Sequence, residues 1–78
     1  MQVYSVMLEG IYASMGYFMN VEVAAINRSS AAKLAEQPAR EIGLSIVGVE
    51  EITVTDRSTS SESKVLSASG KSYFPSGH

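Results

Sequence analysis

Hydrophobic and polar residues alternate in two stretches near the N-terminus, and a period of two residues is typical of β-strands. The alternation covers residues 2–9 and resumes over residues 18–26. Between them, residues 11–15 form a connecting segment that is unusually apolar and is flanked by Gly10 and Gly16. We expect the two strands to pair antiparallel across this long connection.

A polar cluster at residues 27–30 precedes a segment in which apolar residues recur at helical spacing. A serine of this cluster is expected to cap the helix by accepting a hydrogen bond from the first turn. Gly43 stands where a left-handed C-cap belongs. Because Pro38 removes a backbone hydrogen bond from the helix interior, we expect a helix from about 30 to 42 with a kink or break near 35–38.

Residues 44–55 carry the strongest strand pattern of the chain, with apolar side chains at both odd and even positions. This pattern predicts either a strand that is covered on both faces or a β-bulge near Gly48 that switches the register. Residues 55–63 are rich in Ser and Thr and predict a polar loop. Residues 64–68 and 71–74 predict one or two short strands.

These elements predict a single α+β domain over residues 1–75, followed by a short tail at 76–78. The expected order is β-β-α-β-β, with the last strand whole or divided. The simplest architecture for that order is an antiparallel sheet of three to five strands with one helix packed on one face.

Composition narrows the class of protein without identifying it. The chain has 78 residues, 6 basic and 8 acidic side chains, a net charge of -2 and no cysteine. It is one small domain, and no apolar run approaches the roughly 18–20 residues of a membrane span. The N-terminus lacks the basic region of a signal peptide. We therefore expect a cytoplasmic protein that has no disulfides and makes no contact with a membrane.

Side chains that carry out catalysis are scarce. The single histidine, His78, is the last residue, so neither a Ser–His nor a Cys–His arrangement is available. One histidine with scattered carboxylates does not make a metal site. We expect no enzymatic activity, no cofactor and no metal, and a function that depends on binding.

The apolar connection is the most informative anomaly, because Met and Tyr are favoured at adaptable protein interfaces. Two interpretations remain open: the segment continues the strands into the core, or it contacts a partner or a second copy. The residues expected to contact a partner come from this connection, from the charged sheet rim and from the C-terminal aromatic pair. They are Tyr12, Met15, Tyr17, Arg57, Lys64, Lys71 and Tyr73.

Residues 21–52 contain a strand, a polar cap, an alanine-rich helix, a glycine and a second strand, over 32 of the 78 residues. This pattern resembles small α+β proteins of phages and mobile elements, of the anti-CRISPR type. The resemblance carries over no individual residue. It implies an inhibitor that docks on a host defence complex, such as a nucleoprotein, and blocks nucleic-acid binding or cleavage.

Two alternatives remain beside that hypothesis. The first is a homodimeric structural or accessory protein, because a chain this short buries a thin core. The second is a weak binder of single-stranded nucleic acid that stacks bases on Tyr4, Tyr17 and Tyr73. Direct nucleic-acid binding is the less favoured of the two, because the basic residues do not cluster.

Overall fold

The structure is a computed structural model that describes residues 1–58 and 62–68 and the backbone of 72–75. It contains one helix and five strands in the order β-β-α-β-β-β. The elements are β1 (Gln2–Tyr12), β2 (Met15–Ala25), α1 (Arg28–Glu41), β3 (Ser45–Ser58), β4 (Lys64–Ala68) and β5 (Ser72–Pro75). The predicted α+β class with one helix is confirmed, and the element order differs from β-β-α-β-β by one additional short strand.

All strand pairs are antiparallel, and the sheet order is β3-β1-β2-β4. β5 also pairs with β2, on residues 15–18, while β4 pairs with residues 21–24. The last strand of the predicted fold is therefore divided in two along one edge of β2. β3 forms the opposite edge of the sheet, and β1 lies in the middle.

The first two strands are longer than the sequence predicts. Tyr12 pairs directly with Met15, so only Ala13 and Ser14 form the turn. Both turn residues have positive φ, at 52° and 67°, as a type I′ turn requires. The prediction of a long connection over residues 11–15 is wrong, because its apolar residues extend the two strands.

The helix begins earlier than predicted, at Arg28, and the serine cap is wrong. Asn27 is the N-cap, and its side-chain oxygen accepts a hydrogen bond from the Ser30 backbone N–H at 2.9 Å. The helix is continuous through Pro38, so the predicted break is absent. Its buried stripe of Ala31, Ala35 and Ala39 packs against the sheet on both sides of the proline, and that packing offsets the lost hydrogen bond.

The predicted C-cap at Gly43 is confirmed. Gly43 has a φ of 80°, its N–H donates to the Arg40 carbonyl, and the Leu44 N–H donates to the Ala39 carbonyl. These two bonds are those of a Schellman motif. Leu44 is buried next to Ala39 in the same core. This ending turns the chain directly into β3.

The β-bulge predicted near Gly48 is also confirmed. The register between β1 and β3 shifts twice in this region, which leaves Val47 and Glu50 as the additional residues of β3. The apolar residues of β3 can then face the core despite their mixed parity, and Ile46, Val49 and Ile52 pack against it.

β3 continues to Ser58, so the loop predicted at residues 55–63 is wrong over its first four residues. The Thr55 hydroxyl donates to the Val3 carbonyl at 2.9 Å, which ties this part of the chain to β1. The rest of the predicted loop is only partly described, because residues 59–61 lie outside the described residues, as does the predicted tail at 76–78.

The backbone conformation of the turn between β1 and β2 leads to a prediction about stability. Ala13 occupies the left-handed region, which costs an alanine about 1–2 kcal/mol, whereas asparagine is favoured at this position of a type I′ turn. Ala13→Asn should raise the free energy of unfolding by about 1 kcal/mol, measured by urea denaturation. The matched control, Ala32→Asn in the helix, should lower it by roughly 0.5 kcal/mol. A loss of stability in both variants would contradict the assigned turn.

Candidate functional site

One buried tyrosine ties three strands together near the hairpin turn. Tyr17 on β2 is completely buried and pairs with Gly10 on β1. Its hydroxyl donates a hydrogen bond to the Ser45 carbonyl on β3 at 3.1 Å. Since β1 lies between β2 and β3, the Tyr17 side chain must cross β1 at Gly10. A Cβ atom at Gly10 would overlap both the Tyr17 ring and the Ser45 carbonyl, so this crossing requires glycine.

The burial of Tyr17 contradicts its predicted role as a contact residue. Tyr17 was expected in an exposed contact surface, and in the structure none of its surface is accessible. Tyr4 is likewise buried, with 6% of its surface exposed. The hypothesis that Tyr4 and Tyr17 stack with nucleic-acid bases is therefore wrong for both residues.

Beyond Tyr17, the end of the sheet carries an exposed apolar surface. We call it the hairpin tip and define it by Ile11, Tyr12, Met15 and Val47, which are 45%, 50%, 38% and 63% exposed. Tyr12 and Met15 lie on the helix side of the sheet, as Leu8 and Tyr17 do, whereas Ile11 lies on the opposite face. Tyr12 and Met15 face each other across the turn. The structure thus brings together two of the predicted contact residues and adds two that the sequence analysis did not select.

The second accessible region is the open face of the sheet, which lies opposite the helix. Within the described part of the chain no helix covers this face, since α1 is the one helix and packs on the other side. Its central side chains are half-buried, and they are Ser5, Met7, Glu9, Phe18, Asn20 and Glu22. The Ser5 hydroxyl donates to the Asn20 side-chain oxygen at 3.0 Å.

The predicted basic rim lies at the other end of the sheet. Lys64 pairs with Ala24, and Arg57 forms an ion pair with Glu22 that joins β3 to β2 across β1. Val3 and Ala24, buried on the open face, belong to this end. A strand rises about 3.3 Å per residue, so this end lies roughly 30 Å from the hairpin tip. The predicted contact residues therefore belong to two separate regions, and Arg57 is already paired.

The remaining two predicted contact residues are Lys71 and Tyr73. Lys71 lies outside the described residues. The backbone of Tyr73 pairs with that of Tyr17, which places β5 beside the hairpin end of β2.

No metal-binding group of three His, Cys, Asp or Glu side chains occurs among the described residues. The described part of the chain also contains no helix that is long and apolar enough to cross a membrane.

Comparisons of the chain with protein-family models, with curated proteins and with solved structures find no significant match.

The role of Gly10 can be tested with a matched glycine. Gly10→Ala should lower the free energy of unfolding by about 2–3 kcal/mol, because the added methyl displaces the Tyr17 ring. Gly48→Ala should leave it unchanged or raise it slightly, since a Cβ there meets no atom within 4 Å. Urea denaturation compares the two variants. Equal effects would contradict the close packing at Gly10.

The hydrogen bond to Ser45 gives a second comparison. Tyr17→Phe should cost about 1 kcal/mol of unfolding free energy, the usual net value of such a bond. Tyr12→Phe removes the same atom from an exposed ring and should change stability by less than about 0.5 kcal/mol. Thermal and urea unfolding of both variants measure the difference, and a larger loss at Tyr12 would refute the assignment.

Proposed function

We propose that this chain is a non-enzymatic protein-interaction module that docks the hairpin end of its sheet on a partner protein. The observation that carries the proposal is the hairpin tip, where the directly paired Tyr12 and Met15 are exposed and where Ile11 and Val47 are exposed as well. Contiguous exposed apolar side chains usually indicate interaction sites. Tyrosine and methionine are also enriched at interfaces, where they adapt to a partner surface.

The strands that carry the hairpin tip are held in a fixed arrangement, which favours binding. The two strands extend to a turn of only two residues, and Tyr17 holds all three neighbouring strands in place. A surface that is ordered before binding loses less conformational entropy when the complex forms. The tip is therefore suited to act as a preformed anchor.

In its more specific form, the proposed partner is a host defence complex of the CRISPR type, and docking blocks its binding or cleavage of nucleic acid. The support for this form is the resemblance of residues 21–52 to small phage and mobile-element inhibitors. Such an inhibitor acts stoichiometrically in the host cytoplasm and needs contact surface but no catalytic group.

Self-association as the main function has weaker support. The chain exposes 4662 Å², and a monomer of 8.3 kDa is expected to expose about 4600 Å². The single chain thus exposes about as much surface as monomers of its size.

The proposal predicts a specific loss of inhibition. The wild-type chain, expressed in bacteria with an active CRISPR defence, should restore plaque formation by a targeted phage in at least one of a panel of defence types. The double variant Tyr12→Ser/Met15→Ser should lose this effect and bind the purified effector at least about tenfold more weakly.

A matched control carries Lys33→Ser and Gln37→Ser on the exposed side of the helix, and it should inhibit like the wild type. Circular dichroism checks that all variants fold. If no defence type is inhibited, the specific form of the proposal is wrong. If the tip variant inhibits fully, the docking surface is wrong.

A further inference from the structure

We propose that the Arg28 side chain closes the outer edge of the sheet along β3 and thereby prevents this strand from pairing with β3 of a second copy of the chain. β3 is an edge strand, and no other strand within the described residues pairs with its outer side. A free edge exposes backbone N–H and C=O groups that can pair with another chain. Two copies of one strand can supply both donors and acceptors to each other, because antiparallel pairing is reciprocal.

The register of the sheet shows which backbone groups of β3 point outward. The two-residue turn makes Tyr12 and Met15 the hydrogen-bonded pair that closes the hairpin. Even-numbered residues of β1 therefore direct their backbone groups toward β2, and odd-numbered residues direct theirs toward β3. The Thr55 hydroxyl, which donates to the Val3 carbonyl from the side of β3, agrees with this assignment. The outward-pointing residues of β3 are those that pair with even-numbered residues of β1, namely Ile46, Val49, Ile52 and Val54.

The part of this edge that is regular enough to pair with another strand is short. The register between β1 and β3 shifts at three places, and such irregularities make an edge a poor template for pairing. Residues 51–54 form the longest run in continuous register with β1, and Ile52 and Val54 carry its outward backbone groups. This run is where a second copy could pair.

Arg28 lies against that run. It is exposed, and its guanidinium donates a hydrogen bond to the Ile52 carbonyl at 2.9 Å. A strand that approached the edge would have to displace the guanidinium from this carbonyl or remove the water around its charge. Both are costly when the arriving strand offers no acidic partner at that place.

The position of Arg28 in the helix supports a role at the edge. Arg28 is the first residue of α1, and the first turn contains no acidic side chain. A positive charge at a helix N-terminus is unfavourable, because the partial charge of the helix is also positive there. Helix formation therefore does not account for an arginine here, whereas the bond to Ile52 does. Edge closure is separate from docking at the hairpin tip, because neither Arg28 nor Ile52 belongs to the tip.

Sedimentation equilibrium tests the role of Arg28. At protein concentrations up to about 1 mM the wild type should remain a monomer, whereas Arg28→Ala should form a dimer with a Kd below about 1 mM. The matched control Lys33→Ala removes the same charge from an exposed position of the same helix, and it should remain a monomer. Circular dichroism checks that all variants fold.

Hydrogen exchange locates the contact between the copies. In Arg28→Ala the outward amides of Ile52 and Val54 should become protected as the protein concentration rises, and in the wild type they should not. The double variant Arg28→Ala/Val54→Pro removes an outward N–H that makes no bond to β1, and it should be a monomer again. The exchange measurement decides alone if the proline variant does not fold.

A monomeric Arg28→Ala at the highest concentration would overturn the proposal. So would a wild type that already dimerises, or equal association of Lys33→Ala, which would assign the effect to net charge. Concentration-dependent protection that spares Ile52 and Val54, or a folded proline variant that still dimerises, would place the contact elsewhere and would also refute edge closure.

Discussion

The passage of the Tyr17 side chain over Gly10 is the constraint on which the hairpin end of the sheet depends. It places a completely buried aromatic ring across the central strand and bonds its hydroxyl to the Ser45 carbonyl on the far strand. A single missing Cβ makes this possible. Without it, β3 would begin without a side-chain bond to β2, and the turn would extend from two strands that are less firmly joined.

This anchor separates two kinds of apolar residue that look alike in the sequence. Tyr17 and Met19 belong to the core, whereas Tyr12 and Met15, only a few residues earlier, are exposed. The exposed group is held by the two-residue turn and by the strands that Tyr17 joins. An exposed apolar tip on an ordered support is the basis for proposing a function by contact.

Local patterns in the sequence predict the helix and most strands of the fold. The features that they do not predict depend on how the strands pair with one another. The C-cap at Gly43 and the bulge near Gly48 follow from residue type and parity, and both are present. The short hairpin escapes prediction because Ala13 and Ser14 lack the Asn-Gly signal of such turns. The burial of Tyr17 depends on Gly10 of the neighbouring strand, so no local pattern indicates it. Tyr12 and Met15, selected as residues of an apolar connection, are exposed, although they have the strand parity of the buried Leu8 and Tyr17.

The central claim, that Tyr17 makes the hairpin end as stable as the rest of the sheet, is tested most directly by native-state hydrogen exchange. The measured quantity is the opening free energy of β1 amides on both sides of Gly10. The account predicts that these amides exchange only through global unfolding, with an opening free energy equal to that from urea denaturation. Exchange of the amides near the turn through a much less costly local opening would contradict it.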